Sequence, residues 1–380
     1  MYRYQSQPPR SKQERAALFS IALTFFGSVY TTNFSPLHLR RGMNGIGTSG
    51  IVVSELSFSV PRSAYAESTV SDMAPAVTFV ITGSGVTVTA PTFYVDSRTP
   101  SGGVIDFVCY DRLAFADGIT LTETDVGITH HTDTKTGKDK ITDAALTAQG
   151  MLTLCARKLN LTVGSGTGIF SSITKTKDAS AMVGQTVSQI LSELSTAGVG
   201  VFYIANDNTL CFAPCGTATS VIGVSPISHA ATDKGAQVQY TGLYMSDSSG
   251  STYSSGTSAG RTVSISTEYA DQALCNAVAA PLLSHTFAAI SCAKSILPCI
   301  PEIGNNISYG DAPGTYILSS ADMTITSYGI YASLTSCADS GGEIAQYMSR
   351  ERRMAASQLT AGQKYKNIVI NRYGQRRIEE

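Results

Sequence analysis

The stretch VIDFVCYDRLA, residues 104–114, decides how the chain is divided. Its residues alternate between two faces with the period of a β-strand: Val104, Asp106, Val108 and Tyr110 on one, and Ile105, Phe107, Cys109 and Asp111 on the other. Both faces are largely apolar, so we expect a strand that is buried on both sides. A Pro-Ser-Gly-Gly turn precedes it and Asp117-Gly118 follows it, which sets its ends.

Residues 33–117, which include this strand near their end, are predicted to form a run of short strands. Alternating or β-branched segments lie between Gly and Pro turns, at 56–60, 77–81, 86–88 and 93–95. Strands and turns at this spacing are typical of a small barrel or sandwich.

The residues that follow predict an α/β segment. A first helix, capped by Thr142 or Asp143, has apolar residues at helical spacing up to Leu159. The buried face of a second helix consists of Val187, Ile190, Leu191 and Leu194, and Gly198 stands where a C-terminal cap would fall. A hairpin around Asn206-Asp207-Asn208 then closes the segment.

A second β-rich region is expected from about residue 221 to 340. It includes a Ser/Gly/Tyr-rich loop at 246–260, which we expect to be mobile or ordered by a partner. A helix at 269–280 is expected to stop near Pro281, and five strands between 288 and 335 complete the region.

The two ends of the chain differ from the middle. Three basic residues precede the apolar run 16–30, a pattern that a secretory signal peptide shares. The run is short and rich in Ser and Thr, so we expect a structured arm that packs on this chain or on a neighbouring subunit. Residues 341–380 carry eight Lys and Arg against four Glu, and we expect a docking arm that needs a partner for order.

The composition limits the function classes. The chain has 380 residues, of which 14% are charged, and a net charge of -1, so nothing indicates a nucleic-acid or membrane-surface partner in bulk. Its eight cysteines include no CxxC pair and are expected to be free thiols in a reducing compartment.

The expected fold class is β-rich α+β. It consists of two small β-barrel-like domains at 34–118 and 221–340, an α/β domain at 119–220, and terminal arms at 1–33 and 341–380.

Patterns that could carry chemistry are weak. The glycine-rich loop 164–168 is not followed by the Lys of a phosphate loop, and adjacent His130 and His131 would point to opposite faces of a strand. Cys211 and Cys215 lack a second ligand pair for zinc, and Asn206-Asp207-Asn208 lacks the further carboxylates of a calcium site. We therefore expect no catalytic residue, no metal site, no cofactor and no enzymatic activity.

The order of these elements resembles the tail hub proteins of bacteriophages, the baseplate-hub and tail-tip proteins of prophages and contractile particles. The segments that carry the resemblance are Phe107–Leu113, Cys155–Leu161, Thr186–Leu194 with Val199–Phe212, Leu297–Gly304 and Ile325–Leu334. They are architectural motifs, and together they span roughly residues 34–340.

The resemblance implies a structural virion protein at the tail tip, made and assembled in the bacterial host cytoplasm. In that family two β-barrel domains per subunit let a homotrimer imitate a six-fold ring around the DNA path. Such a ring adapts the tail tube to a distal spike or fibre protein, with the tape-measure protein as a further possible partner. It implies neither sequence-specific nucleic-acid binding nor stable membrane insertion.

Two other function classes compete with a tail hub. A secreted or surface β-rich adhesin is favoured by the signal-like N-terminus and the Ser/Gly loops, and disfavoured by the unpaired cysteines. A wall hydrolase is disfavoured because the sequence lacks a catalytic constellation.

Within the C-terminal arm, we expect Ile368, Val369 and Ile370 to add a strand to a partner's edge. Arg350, Arg352 and Arg353 would pair with acidic groups of another chain, or form a solvated helix face.

Overall fold

The computed structural model describes residues 19–42, 50–64, 75–83, 86–132, 139–142, 145–216, 221–226, 238–287, 291–309, 316–336, 368–370 and 376–378. Within them the chain forms two β units that share one sheet, and an α/β unit with a core of its own. The β-rich α+β fold class expected from the sequence is confirmed.

The first β unit consists of eight strands between residues 20 and 111. They are β1 (Ser20–Phe25), β2 (Ser28–Tyr30), β3 (Leu37–Gly42), β4 (Glu55–Pro61), β5 (Ala76–Gly83), β6 (Val86–Thr89), β7 (Phe93–Ser101) and β8 (Val104–Asp111). Their order in the sheet is β2-β1-β5-β7-β8-β4-β3, with β6 also paired to β5. All of these neighbours are antiparallel.

Strand β8 is buried on one face only. Ile105, Phe107, Cys109 and Asp111 are buried, and the alternate residues are partly exposed. The expectation of burial on both faces was wrong, because an antiparallel sheet can pack its core on one side and leave the other to polar groups. On that outer side Asp106 accepts a hydrogen bond from the Ser59 hydroxyl at 2.5 Å.

The N-terminal segment belongs to this core. Ile21, Leu23 and Phe25 of β1 are buried, and the Phe25 ring lies edge-on to Phe58 and Phe107 at centroid distances of 5.4 and 5.5 Å. The apolar run 16–30 was expected to pack either on this chain or on a neighbouring subunit. Its described residues pack on this chain. Strands β1 and β2 therefore extend the first β unit to residues that the sequence analysis assigned to an arm.

In its described residues between 123 and 214, the α/β unit has eleven α-helices and β-strands. They are α1 (Glu123–Val126), β9 (Thr129–Thr132), β10 (Asp139–Thr142), β11 (Ala145–Thr147), α2 (Ala148–Lys158), β12 (Thr162–Val163), β13 (Thr176–Asp178), α3 (Ala179–Met182), α4 (Val187–Gly198), β14 (Gly200–Ile204) and β15 (Thr209–Pro214). A small sheet of order β12-β15-β14 lies among them. Its β14–β15 hairpin turns at residues 205–208, as the sequence predicts.

Helix α2 starts later than expected. Residues 145–147 pair with β13 as a strand, so Thr147 becomes the N-terminal cap and accepts a hydrogen bond from the Gly150 N–H at 3.1 Å. Helix α4 buries the predicted face completely, but Val199, at φ 51°, takes the left-handed cap position expected of Gly198. A Cβ on Gly198 would lie 2.8 Å from the Phe212 ring, so Gly198 is required by packing.

Beyond residue 220 the described residues form a further ten strands and one helix, followed by a C-terminal hairpin. They are β16 (Val221–Pro226), β17 (Val238–Gln239), β18 (Gly242–Ser246), β19 (Thr252–Gly256), β20 (Thr262–Ser266), α5 (Gln272–Ser284), β21 (Thr286–Phe287), β22 (Ser291–Leu297), β23 (Asn306–Tyr309), β24 (Tyr316–Thr326), β25 (Gly329–Ser336), β26 (Ile368–Ile370) and β27 (Arg376–Ile378).

Residues 238–287 belong to the α/β unit, although the sequence division placed them in the second β domain. The sheet β19-β18-β20 and helix α5 share one buried cluster with α2 and α4. The loop expected at 246–260 contains β19, and α5 continues past Pro281 to Ser284. Proline removes one helical N–H, and Leu282 beyond it is fully buried, so packing supports the last turn.

The second β unit is held together by a closed circuit of pairings. The circuit runs β24-β23-β16-β22-β25 and returns to β24. One strand, β24, serves both β units: Ser320–Ile325 pairs with Gly42–Leu37 of β3, and the start of β24 pairs with β23. Because the two β units share this strand and one continuous buried cluster, their relative orientation is set by backbone hydrogen bonds.

Candidate functional site

The residue patterns tested for chemistry have structural explanations. Gly166, at φ +76°, lies against the Phe212 carbonyl oxygen, where no Cβ would fit. His130 Nε2 lies 2.9 Å from Glu123 Oε2 on an exposed surface. No group of three or more His, Cys, Asp or Glu within the described ranges could hold a metal ion.

The structure does not test the predicted interface residues. Arg350, Arg352 and Arg353 lie outside the described residues. Ile368–Ile370 forms strand β26, which pairs antiparallel with β27 in a two-stranded hairpin. The expected strand is present, and its partner within the described chain is β27.

The residues with a clear architectural role lie where the three units meet, at the tip of the β14–β15 hairpin. On one side of the tip, the Thr92 N–H donates to Asn208 Oδ1 at 2.9 Å, and Asn208 Nδ2 donates to Thr92 Oγ1 at 2.8 Å. Asn208 has a φ of 68°, a left-handed conformation that Asn tolerates better than most residues. This reciprocal pair attaches the α/β unit to the first β unit.

The other side of the tip binds the loop 300–305 of the second β unit. Glu302 Oε1 accepts the Asn206 N–H at 2.8 Å, and Asn206 Nδ2 donates to the Ile300 carbonyl at 2.9 Å. Ile303 packs into a small buried cluster with Val52, Val201, Tyr203, Ala205, Cys211 and Ala213. The hairpin tip is thus bonded to both β units.

Arg41 is the buried cation of this junction. It is 3% exposed and donates from Nη1 to the Pro301 carbonyl at 3.1 Å, while its Nε and Nη2 have no partner among the described residues. Burial lowers the pKa of its guanidinium, and the negative charges of Glu302 and Asp111 oppose that shift. Arg40, the preceding residue, points outward and pairs with Asp322 of β24 at 3.3 Å.

Asp111 is the buried anion of the junction, and it is fully inaccessible to solvent. Its carboxylate accepts the Ser54 N–H at 2.7 Å and the Leu113 N–H at 3.0 Å. Burial raises the pKa of this carboxyl to about 6, against the effects of the two N–H groups and of Arg41. We call Arg41, Asp111, Glu302, Asn206 and Asn208 the junction residues.

Sequence reasoning missed this site. Asp111 was placed on the face of Ile105, Phe107 and Cys109, and a carboxylate in register with three apolar residues was the signal that could have identified it. The resembling segment 297–304 contains Glu302, but no pattern linked Glu302 to the hairpin nearly one hundred residues earlier. Arg41 gave no signal, because the exposed Arg40 beside it has the same chemistry.

No membrane-spanning helix is found in the part of the chain that the structure describes, because none of its helices has the required length and apolar character.

Comparison with known proteins finds similarity among solved structures. No protein-family model and no curated protein matches the chain. The 43 kDa tail protein of prophage MuSo2 from Shewanella oneidensis is 13% identical at a TM-score of 0.48, covering 87% of this chain and 98% of its own. A tail protein from Neisseria meningitidis is 9% identical, with a TM-score of 0.48 and coverages of 86% and 98%. Prophage tail protein gp18 from Listeria monocytogenes is 11% identical, with a TM-score of 0.47 and coverages of 89% and 99%. These three structures are described as tail proteins, two of them from prophages.

Proposed function

We propose that this chain is a structural tail-hub protein that assembles as a homotrimeric ring at the tail tip of a phage-like particle. The observation that carries the proposal is the shared strand β24, which joins two β units of one chain through continuous backbone pairing. Three such chains would contribute six β units in fixed pairs. This is the arrangement that the sequence resemblance implies for a ring that fits a six-fold tube.

The junction residues support this role. A ring subunit must keep its units in one relative orientation, since errors would accumulate around the ring. The α/β unit is bonded to the first β unit through Thr92 and Asn208, and to the second through Asn206 and Glu302. The proposed function is architectural, and we assign the chain no enzymatic role.

The proposed partners are the tail tube or distal tail protein on one side and a spike or fibre protein on the other, with the tape-measure protein at the channel. The adhesin alternative rested on a signal-like N-terminus and on the Ser/Gly loops, of which the loop at 246–260 contains strand β19. Removal of the N-terminal segment would take Leu23 and Phe25 out of a closed core, so we do not retain the adhesin.

The test of the ring is the mass and symmetry of the purified chain. We expect a trimer by light scattering and a ring with six peripheral densities in electron-microscope class averages. The control is the same chain with Val183→Ser, which changes an exposed apolar residue of the α/β unit at 38% exposure. A monomer at every concentration tested, alone and with the tube protein, would contradict the proposal.

We propose further that the C-terminal segment docks the distal partner. An isolated two-stranded hairpin is at best marginally stable, so the β26–β27 hairpin would gain stability by pairing with another chain. This modifies the sequence expectation: the hairpin, rather than a single strand, would extend the partner's sheet. Arg350, Arg352 and Arg353 would pair with acidic groups nearby.

The docking proposal is tested by co-purification with the spike or fibre protein. Truncation after Ser340 should leave the ring intact and abolish retention of the partner. Charge reversal of Arg350, Arg352 and Arg353 to Glu should weaken retention of the partner. Charge reversal of Lys364 and Lys366 in the same segment is the matched control. Unchanged retention after truncation would assign the segment another role.

A further inference from the structure

Asp111 stands at two of the chain segments that connect the first β unit with the α/β unit. One crossing is segment 50–54, where Ile51 bridges Phe202 and Val52 N–H donates to the Phe202 carbonyl at 2.8 Å. The other is residues 111–113, after which Leu113 enters the core of the α/β unit. The carboxylate of Asp111 binds one backbone N–H from each crossing, those of Ser54 and Leu113.

The charges around this carboxylate are few and belong to several elements. Arg41 on β3 is the charged group that acts on Asp111, and Arg41 is in turn influenced by Glu302 in loop 300–305 and by Tyr203 on β14. Among the described residues, Arg41 donates a hydrogen bond to the Pro301 carbonyl. An ionised Asp111 therefore sits inside the protein with only neutral direct partners, the N–H groups of Ser54 and Leu113 and the Ser54 side chain, which is a costly environment for a charge.

We propose that Asp111 makes this junction a proton-tightened joint, in which uptake of one proton by its carboxyl strengthens the attachment of the α/β unit to the first β unit. The inference adds regulation to the proposed function: the ring would hold its units more firmly at mildly acidic pH. The proton comes from solvent and is taken up by a carboxylate oxygen, and no bond between heavy atoms changes.

The direction follows from burial. A carboxyl whose pKa is higher in the closed state than in the opened state binds a proton more readily when closed, so closure gains as pH falls. The gain starts near the closed-state pKa of about 6 and ends near the ordinary value of about 3.8. Between pH 7 and pH 5 these two values give an increase of about tenfold in the closed-to-open ratio.

The experiment is hydrogen exchange of the isolated chain at pH 5, 6 and 7, corrected for intrinsic rates, in peptides containing the Ser54 and Leu113 amides. We expect protection of these amides to rise about tenfold from pH 7 to pH 5. In Asp111→Asn, which is neutral at every pH, this rise should vanish. In Asp106→Asn, the same change on the outer face of the same strand, it should persist.

A third variant separates charge from packing. Arg41→Met removes the cation that favours the ionised carboxylate, so the midpoint of the rise should move to higher pH. If Asp111→Asn does not fold, the dependence of amide protection on pH in the wild type, Asp106→Asn and Arg41→Met still tests the proposal. Equal protection at pH 5 and pH 7, or the same rise in Asp111→Asn, would overturn the proposal. Light scattering reports ring formation and hydrogen exchange reports the Ser54 and Leu113 amides, so failure of the ring proposal is distinguishable from failure of the Asp111 proposal.

Discussion

Asn208→Ala tests whether the hairpin tip holds the α/β unit on the first β unit. The substitution removes both hydrogen bonds to Thr92, at 2.9 and 2.8 Å. Each is worth about 0.5–1.5 kcal/mol net, and partial exposure places them in the lower half of that range. An Ala at φ 68° adds about 1 kcal/mol of backbone cost. We therefore expect about 2–3 kcal/mol in all.

The Thr92 amide measures this loss directly, because its N–H is the donor to Asn208 Oδ1. A loss of about 2–3 kcal/mol corresponds to hydrogen exchange that is faster by roughly 30- to 150-fold, since 1.4 kcal/mol is a factor of ten. Unfolding of the whole chain is a poorer readout, because a chain with several units need not unfold in one step.

Two further substitutions separate the contributions. Asn208→Gly loses both hydrogen bonds without the cost of a left-handed Ala, so it should be about 1 kcal/mol milder. Asn208→Asp keeps an oxygen acceptor for the Thr92 N–H and loses only the donor to Thr92 Oγ1. If the Thr92 amide exchanges equally fast in the wild type and in Asn208→Ala, the tip does not hold the units together.

Three more outcomes are expected. Leu191→Ala should cost about 2–5 kcal/mol, because the side chain is fully buried in α4, whereas Val183→Ala on the partly exposed surface should stay within about 0.5 kcal/mol by chemical denaturation. Deletion of residues 1–30 should unfold the first β unit, visible as lost protection of β8, since Phe25 packs on Phe58 and Phe107; a folded deletion variant would contradict this. Truncation after Ser340 should leave the melting temperature of the described core unchanged, and a drop would show that the C-terminal segment packs on it.

Local patterns predicted the elements well. The alternation of Leu56, Phe58 and Val60 became β4, and the steps of three and four residues along α4 became its buried face. These elements are dictated by periodicity within a few residues, which tertiary contacts reinforce. The prediction for α2 was wrong at its start, because residues 145–147 pair with a strand thirty residues later.

The assignment of elements to units was less predictable. Residues 238–287 read as β-rich and were grouped with the strands that follow them. The structure instead packs Leu243, Met245 and Leu274 against the α/β core. Periodicity tells which side of a strand is buried, but it does not tell which core covers that side. The same holds for the N-terminal run. Its periodicity indicates an apolar face, but it does not indicate that the strand pairs with β5.

The shared strand and the junction have different mechanical consequences. Strand β24 joins the two β units by a ladder of backbone hydrogen bonds, so rotation between them would break several bonds together. The α/β unit is joined to them by the Ile51–Phe202 bridge, the hairpin tip and the small apolar cluster around Ile303. Asp111 accepts one N–H from each of two chain segments that connect this unit with the first β unit, so the proton uptake that we propose would act where these two units meet.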